Sequence, residues 1–142
     1  MTIGKRIRTI RIHRELTQKQ LGEMLGYKNS PSVRIAQYET GQRSPMPNAL
    51  KKFSNALKVA PEALDIPNID NHTVLMHLLF ALEEFFNLRI ESINDEVCLI
   101  FNNDEITGLL SEWLKQYKAY QNGELSEQEY KEWEYNYSRK KC

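Results

Sequence analysis

Arg34 and Gln37 carry the side chains best suited to reading nucleic-acid bases: a guanidinium pairs with a guanine edge, a carboxamide with an adenine edge. A good two-bond contact of this kind contributes about 1–3 kcal/mol of discrimination between bases. Such residues read sequence only if an element holds them against a groove. The stretch TQKQLGEMLGYKNSPSVRIAQYETG, residues 17 to 41, supplies that element. Thr17 and Gln20 form a capping box that starts a first short helix, with Leu16 and Leu21 placed as a hydrophobic staple. Leu21, Met24 and Leu25 lie on one apolar face, Gly22 leaves room for another helix to approach, and Gly26 suits the stop. Ser30 as a side-chain cap and Pro31 at the first helical position open a second helix, which runs to Thr40 and ends at Gly41. Two capped helices, a turn and a closing glycine read as a helix-turn-helix.

Q-x-x-L-G-x-x-L-G followed by R-I-A-Q-Y-E-T-G resembles the Xre family of phage Cro and repressor-type helix-turn-helix domains, over about residues 3 to 66. The resemblance implies that Gln18 contacts phosphate at the first helix's N-terminus. It also implies that Ser32, Val33, Arg34 and Gln37 face the groove, with Ile35 and Tyr38 in the core. Lys28, in the turn, joins the DNA-facing set. After the second helix, Gln42 to Pro47 is a stiff loop with two prolines, from which the family implies a phosphate contact by Arg43. The family also implies a pair between Arg11 and Glu39, expected here to be partly buried. One departure is the turn Tyr27 to Pro31, which is longer than the family's usual turn.

Charge divides the chain in the same place. The 142 residues have net charge zero, yet residues 1 to 66 hold 12 Lys and Arg against 5 Asp and Glu, or +7, and residues 67 to 142 hold 7 against 14, or −7. A basic half attracts phosphate and an acidic half is repelled by it, so only the N-terminal half is expected to touch DNA. Lys5, Arg6, Arg8, Arg11 and Arg14 all fall on the first helix.

The flanking elements complete a five-helix domain over residues 1 to 66. Ile3, Ile7 and Ile10 mark a first helix; Leu50, Phe53 and Leu57 mark a fourth; Pro61 opens a short fifth. Asp65 to Asn71 is turn-rich and serves as linker. Residues 67 to 142 form a small helical domain containing a β-hairpin, so the whole is mainly α. Thr73 to Phe86 is a helix apolar enough to bury two sides, and Leu88 to Ile93 and Glu96 to Phe101 are strands joined by Asn94-Asp95. Asp104 to Gln121 is a further helix. Ser126 and Glu129 cap a last one that carries Tyr130, Trp133 and Tyr137. The aromatics at 113, 117, 120, 130, 133, 135 and 137 read as packing or interface rather than a ligand pocket.

Catalysis finds no matching pattern. His72 and His77 are five apart, there is no H-E-x-x-H, and neither a phosphate loop nor a nucleophile elbow occurs, so Glu83 and Glu84 have no partners for acid-base work. His77 reads as a core histidine. Cys98 reads as a small buried apolar residue, and with Cys142 it shows neither metal spacing nor a disulfide framework. No metal, cofactor or enzyme activity is expected. The first residues lack the apolar run of a signal peptide, and Val74 to Leu82, broken by His77, is too short to span a bilayer, which implies a cytoplasmic protein. The expectation is a sequence-specific transcriptional regulator, a repressor that binds a symmetric operator on double-stranded DNA as a homodimer. A protein or small-molecule effector would act on the C-terminal half. The alternative is an antitoxin-like regulator whose C-terminal half binds a partner protein.

Overall fold

Apolar residues recurring every three or four positions along the first 64 residues close around one core, and the computed structural model, which describes residues 2–137, shows how. Helices α1 (Ile3–His13), α2 (Gln18–Met24), α3 (Pro31–Glu39), α4 (Pro47–Leu57) and α5 (Pro61–Leu64) bury Ile7, Ile10, Leu21, Ile35, Phe53, Leu57 and Leu64 against one another. Tyr38 packs edge-on against Phe53, with ring centroids 5.1 Å apart. Met24 departs from the expected face and is exposed.

The chain divides into two compact units. Among the described residues, the first contains those up to Asn68 and also residues 131 to 137; the second is Ile69–Tyr130. The last described residues therefore pack with the N-terminal helices. The Ala60 N–H donates to the Tyr135 carbonyl at 2.9 Å, and the His13 ring meets Tyr135 edge-on at 5.3 Å. Arg14 gathers this corner: Nε donates to Leu57 O at 2.8 Å, Nη2 to Lys58 O at 3.0 Å and to Glu132 Oε1 at 3.0 Å, while Nη1 donates to Glu132 Oε2. One guanidinium thus satisfies the open carbonyls at the end of α4 and clamps a carboxylate. Nothing in the local pattern of residues 126 to 137 points to Arg14, 118 positions away.

The hydrogen bond from Arg14 holds the Glu132 carboxyl below its usual range, against the opposing effect of partial burial. A depressed carboxylate stabilises the fold above its unfolded pKa, and that stabilisation disappears as pH falls through the folded value. Since the Glu132 side chain is 44% exposed, the contribution is under about 1 kcal/mol. Glu132→Gln should melt slightly below the wild type at neutral pH, with the two curves converging in acid. A gap that persists after Glu132 is protonated would place the effect elsewhere.

In the second unit, α6 (His72–Phe86) starts at Asn71, whose side chain accepts from the Val74 N–H at 2.9 Å. Strands β1 (Leu88–Ile93) and β2 (Glu96–Phe101) pair antiparallel, with Ile93 opposite Glu96 and Leu88 opposite Phe101. Asn94 and Asp95 both have positive φ, 52° and 64°, as a two-residue turn of the hand that matches strand twist requires. Then follow α7 (Asp104–Gln121), capped by Asn103, and α8 (Glu127–Tyr135), where Ser126 and Glu129 exchange both bonds of a capping box. Trp113 Nε1 donates to Tyr130 Oη at 2.6 Å, and the Tyr120 ring stacks on Tyr130.

Burial here departs from expectation. Helix α6 buries no residue completely, although β1 of the short hairpin packs on it. His77 is exposed and lies edge-on to Phe80 rather than in a core. Cys98 is half-buried, and Cys142 lies outside the described residues. No helix among the described residues is long and apolar enough to cross a membrane.

Candidate nucleic-acid interface

Helix α2 begins where the Thr17 N–H donates to Gln20 Oε1 at 2.8 Å and the Gln20 N–H donates to Thr17 Oγ1 at 3.1 Å. This capping box fixes the direction in which α2 leaves α1. A Cβ on Gly22 would lie 2.6 Å from Pro31 Cβ, so the bare glycine sets how closely the first turn of α3 can approach. Ser30 precedes α3 with φ of 49°, a left-handed conformation, and its side chain makes no capping bond. That corrects the expected side-chain cap: the chain must reverse direction at Ser30, and the left-handed turn takes the hydroxyl out of reach of the helix amides.

Along α3 the buried residues are Ile35 and Glu39, four apart. Val33 and Arg34 are exposed and Gln37 is half-exposed, and these three share the opposite face; Ser32, two turns before Glu39 and on its side of the helix, is half-buried. The Arg34 guanidinium lies over the Tyr27 ring, 5.1 Å from its centroid. Burial, then a hydrogen bond with Tyr38, pushes the Tyr27 phenol above its ordinary value. Nothing in the sequence pattern marks Tyr27 for this role, because it lies in the turn, seven residues from Arg34. Lys28 is exposed beside it. At the other end Gly41 turns the chain with φ of 79°, and the Arg43 N–H donates to Gln37 O at 3.0 Å, which places the exposed Arg43 side chain next to the end of α3.

Behind α3 lies a charged knot. Arg11 Nε donates to Glu39 Oε1 at 2.6 Å and Nη2 to Oε2 at 3.1 Å, a two-bond pair with side-chain exposures of 11% and 2%. The third arm, Nη1, donates to Leu16 O at 2.7 Å. Gln18 Nε2 donates to Glu39 Oε2 at 2.9 Å. Gln18, for which the family resemblance implies a phosphate contact, here ties the start of α2 to the end of α3. The knot joins α1, α2 and α3 at one buried carboxylate. The spacing of Gln18 and Glu39, 21 positions, gave no sign of their bond.

A short helix held from behind by a buried ion pair and showing an arginine and a glutamine on its open face defines a helix-turn-helix domain. The family model described as Helix-turn-helix matches residues 7–64. The HTH-type transcriptional regulator ImmR of Bacillus subtilis (strain 168) is 32% identical over 107 residues, covering 73% of this chain and 77% of ImmR. The crystal structure of the transcriptional regulator BswR superposes with a TM-score of 0.46 at 24% identity, covering 82% of this chain and 94% of that one. The chain belongs to the Xre-type helix-turn-helix family of DNA-binding transcriptional regulators.

Proposed function

We propose that the protein is a cytoplasmic, non-enzymatic repressor that binds a two-fold symmetric DNA operator as a homodimer. Helix α3 enters the major groove; Arg34 and Gln37 read base edges, and Ser32 and Val33 line the contact, where Val33 suits a thymine methyl. Gln18, Lys28 and Arg43 hold phosphates and set the register. The observation that carries this reading is the outward face of α3, Val33, Arg34 and Gln37, on a helix locked by the buried Arg11–Glu39–Gln18 knot. A second reading, in which a partner protein or small-molecule effector acts on the second unit, is favoured by that unit's apolar surface, including Phe80, Phe85 and Trp113.

Selection from a randomised DNA library, followed by binding titrations, tests the proposal. The selected sites should be palindromic, with half-site centres about 34 Å apart or a multiple of that. Gln37→Ala should weaken operator binding roughly 5- to 150-fold, the equivalent of about 1–3 kcal/mol, while leaving random-sequence affinity and melting temperature unchanged. Equal losses on operator and random DNA would refute base reading. Both affinities should fall steeply with added salt.

A further inference from the structure

We propose that the second unit completes its core by pairing β2 antiparallel with β2 of a second copy, forming a four-stranded sheet across the two-fold axis. This rests on the homodimer reading and names the surface that makes it. Among the described residues of the unit, the buried hydrophobics are Leu88 and Tyr130 alone. An isolated two-stranded hairpin is at best marginally stable in water. Residues directly opposite in the register share a face, so Leu88, Phe101, Ile90, Leu99 and Val97 form one apolar face. Leu88 is covered by α6, whereas Ile90, Val97 and Leu99 remain 71%, 75% and 50% exposed.

The edge of β2 carries the stronger argument. The two-residue turn makes Ile93 and Glu96 a hydrogen-bonded pair, so Glu96, Cys98 and Ile100 turn their backbone groups toward β1. The N–H and C=O groups of Val97 and Leu99 point away from it. Edge strands are ordinarily blunted with a lysine, a proline or a bulge, and V-C-L-I-F, residues 97 to 101, has none of these. An antiparallel strand edge is its own complement under a two-fold rotation, so a second copy supplies the matching edge without any other chain. Area agrees. At roughly 100 Å² each, Met76, Phe80, Ile90, Val97 and Leu99 offer about 500 Å² of apolar surface, close to the apolar share of the 800 Å² or so that each partner contributes to a standard interface.

Charge opposes this contact but lies outside it. Residues 69 to 130 contain 3 Lys and Arg against 12 Asp and Glu, or −9, and none falls within 97 to 101. Added salt, by screening that repulsion, should strengthen the dimer while it weakens DNA binding.

The test is sedimentation of the full chain, wild type and the V97K/L99K double variant, with amide hydrogen exchange on the wild type. The expected result is a dimer that tightens with salt, and a double variant that is monomeric with unchanged helical circular dichroism. The outward amides of Val97 and Leu99 should be protected, increasingly so at higher protein concentration. A monomeric wild type, a folded double variant that still dimerises, or fast exchange at both outward amides would overturn the proposal; if the variant does not fold, the exchange result decides. A dimer with protected outward amides but no sequence preference on DNA would leave this inference standing and remove the operator reading. Sequence-selective binding by a monomer would do the reverse.

Discussion

Glu39→Ala is expected to cost about 3–5 kcal/mol, because it strands the Arg11 guanidinium in a site where its side chain is only 11% exposed. The same substitution removes the acceptor of Gln18 Nε2, so three donor groups on two side chains lose their partner at once. For a domain of this size a loss of 1 kcal/mol lowers the melting temperature by about 4–8 °C, so a drop on the order of 10 °C or more should appear by calorimetry. Operator affinity should fall too, since the end of α3 is no longer held. R11M/E39L, which removes both charges together, should recover much of the stability, because replacing a buried pair by apolar groups of similar volume is often neutral. Unchanged melting for Glu39→Ala would mean that water already satisfies Arg11.

Gly22→Ala should be the second large effect, and it should act through geometry. The added Cβ would sit 2.6 Å from Pro31 Cβ and 2.7 Å from Pro31 O, and neither the proline ring nor the backbone can swing aside. The two helices must separate, at a cost of about 1–3 kcal/mol typical of overpacking. Since α3 then tilts on α2, operator binding should be lost more than melting alone predicts. Gly108→Ala is the contrasting control. It lies within α7 with nothing inside 4 Å of the added Cβ, and should stabilise by roughly 0.5–1 kcal/mol through helix propensity. If Gly22→Ala binds operator like the wild type, the close approach of α2 and α3 does not set the reading angle.

Local chemistry made the elements legible. The hairpin strands fall at Leu88–Ile93 and Glu96–Phe101 as expected, because Asn94 and Asp95 accept positive φ at little cost and the apolar runs stop there. The caps at Thr17 and Ser126 are equally local, each a hydroxyl with its partner three residues on. What escaped lies outside the periodicity of any one element. The Arg14–Glu132 clamp, the Gln18–Glu39 bond and the stacking of Arg34 on Tyr27 join residues that share no helix face or strand register. Arg11 and Glu39 entered only through family resemblance. Ser30 misled for a physical reason: a serine before Pro31 has the composition of a cap, but the reversal of the chain takes the left-handed conformation first.

The clamp at Arg14 also makes the architecture an insertion rather than a concatenation. Because residues 131 to 137 rejoin the unit that contains the described residues up to Asn68, the stretch Ile69–Tyr130 is a closed excursion with both exits anchored. The entropy of closing such a loop grows only with the logarithm of its length, so the excursion could be enlarged, shortened or exchanged at small cost while its two anchor points persist. Sequence change within residues 69 to 130 could therefore accumulate without disturbing the packing of α1 to α5.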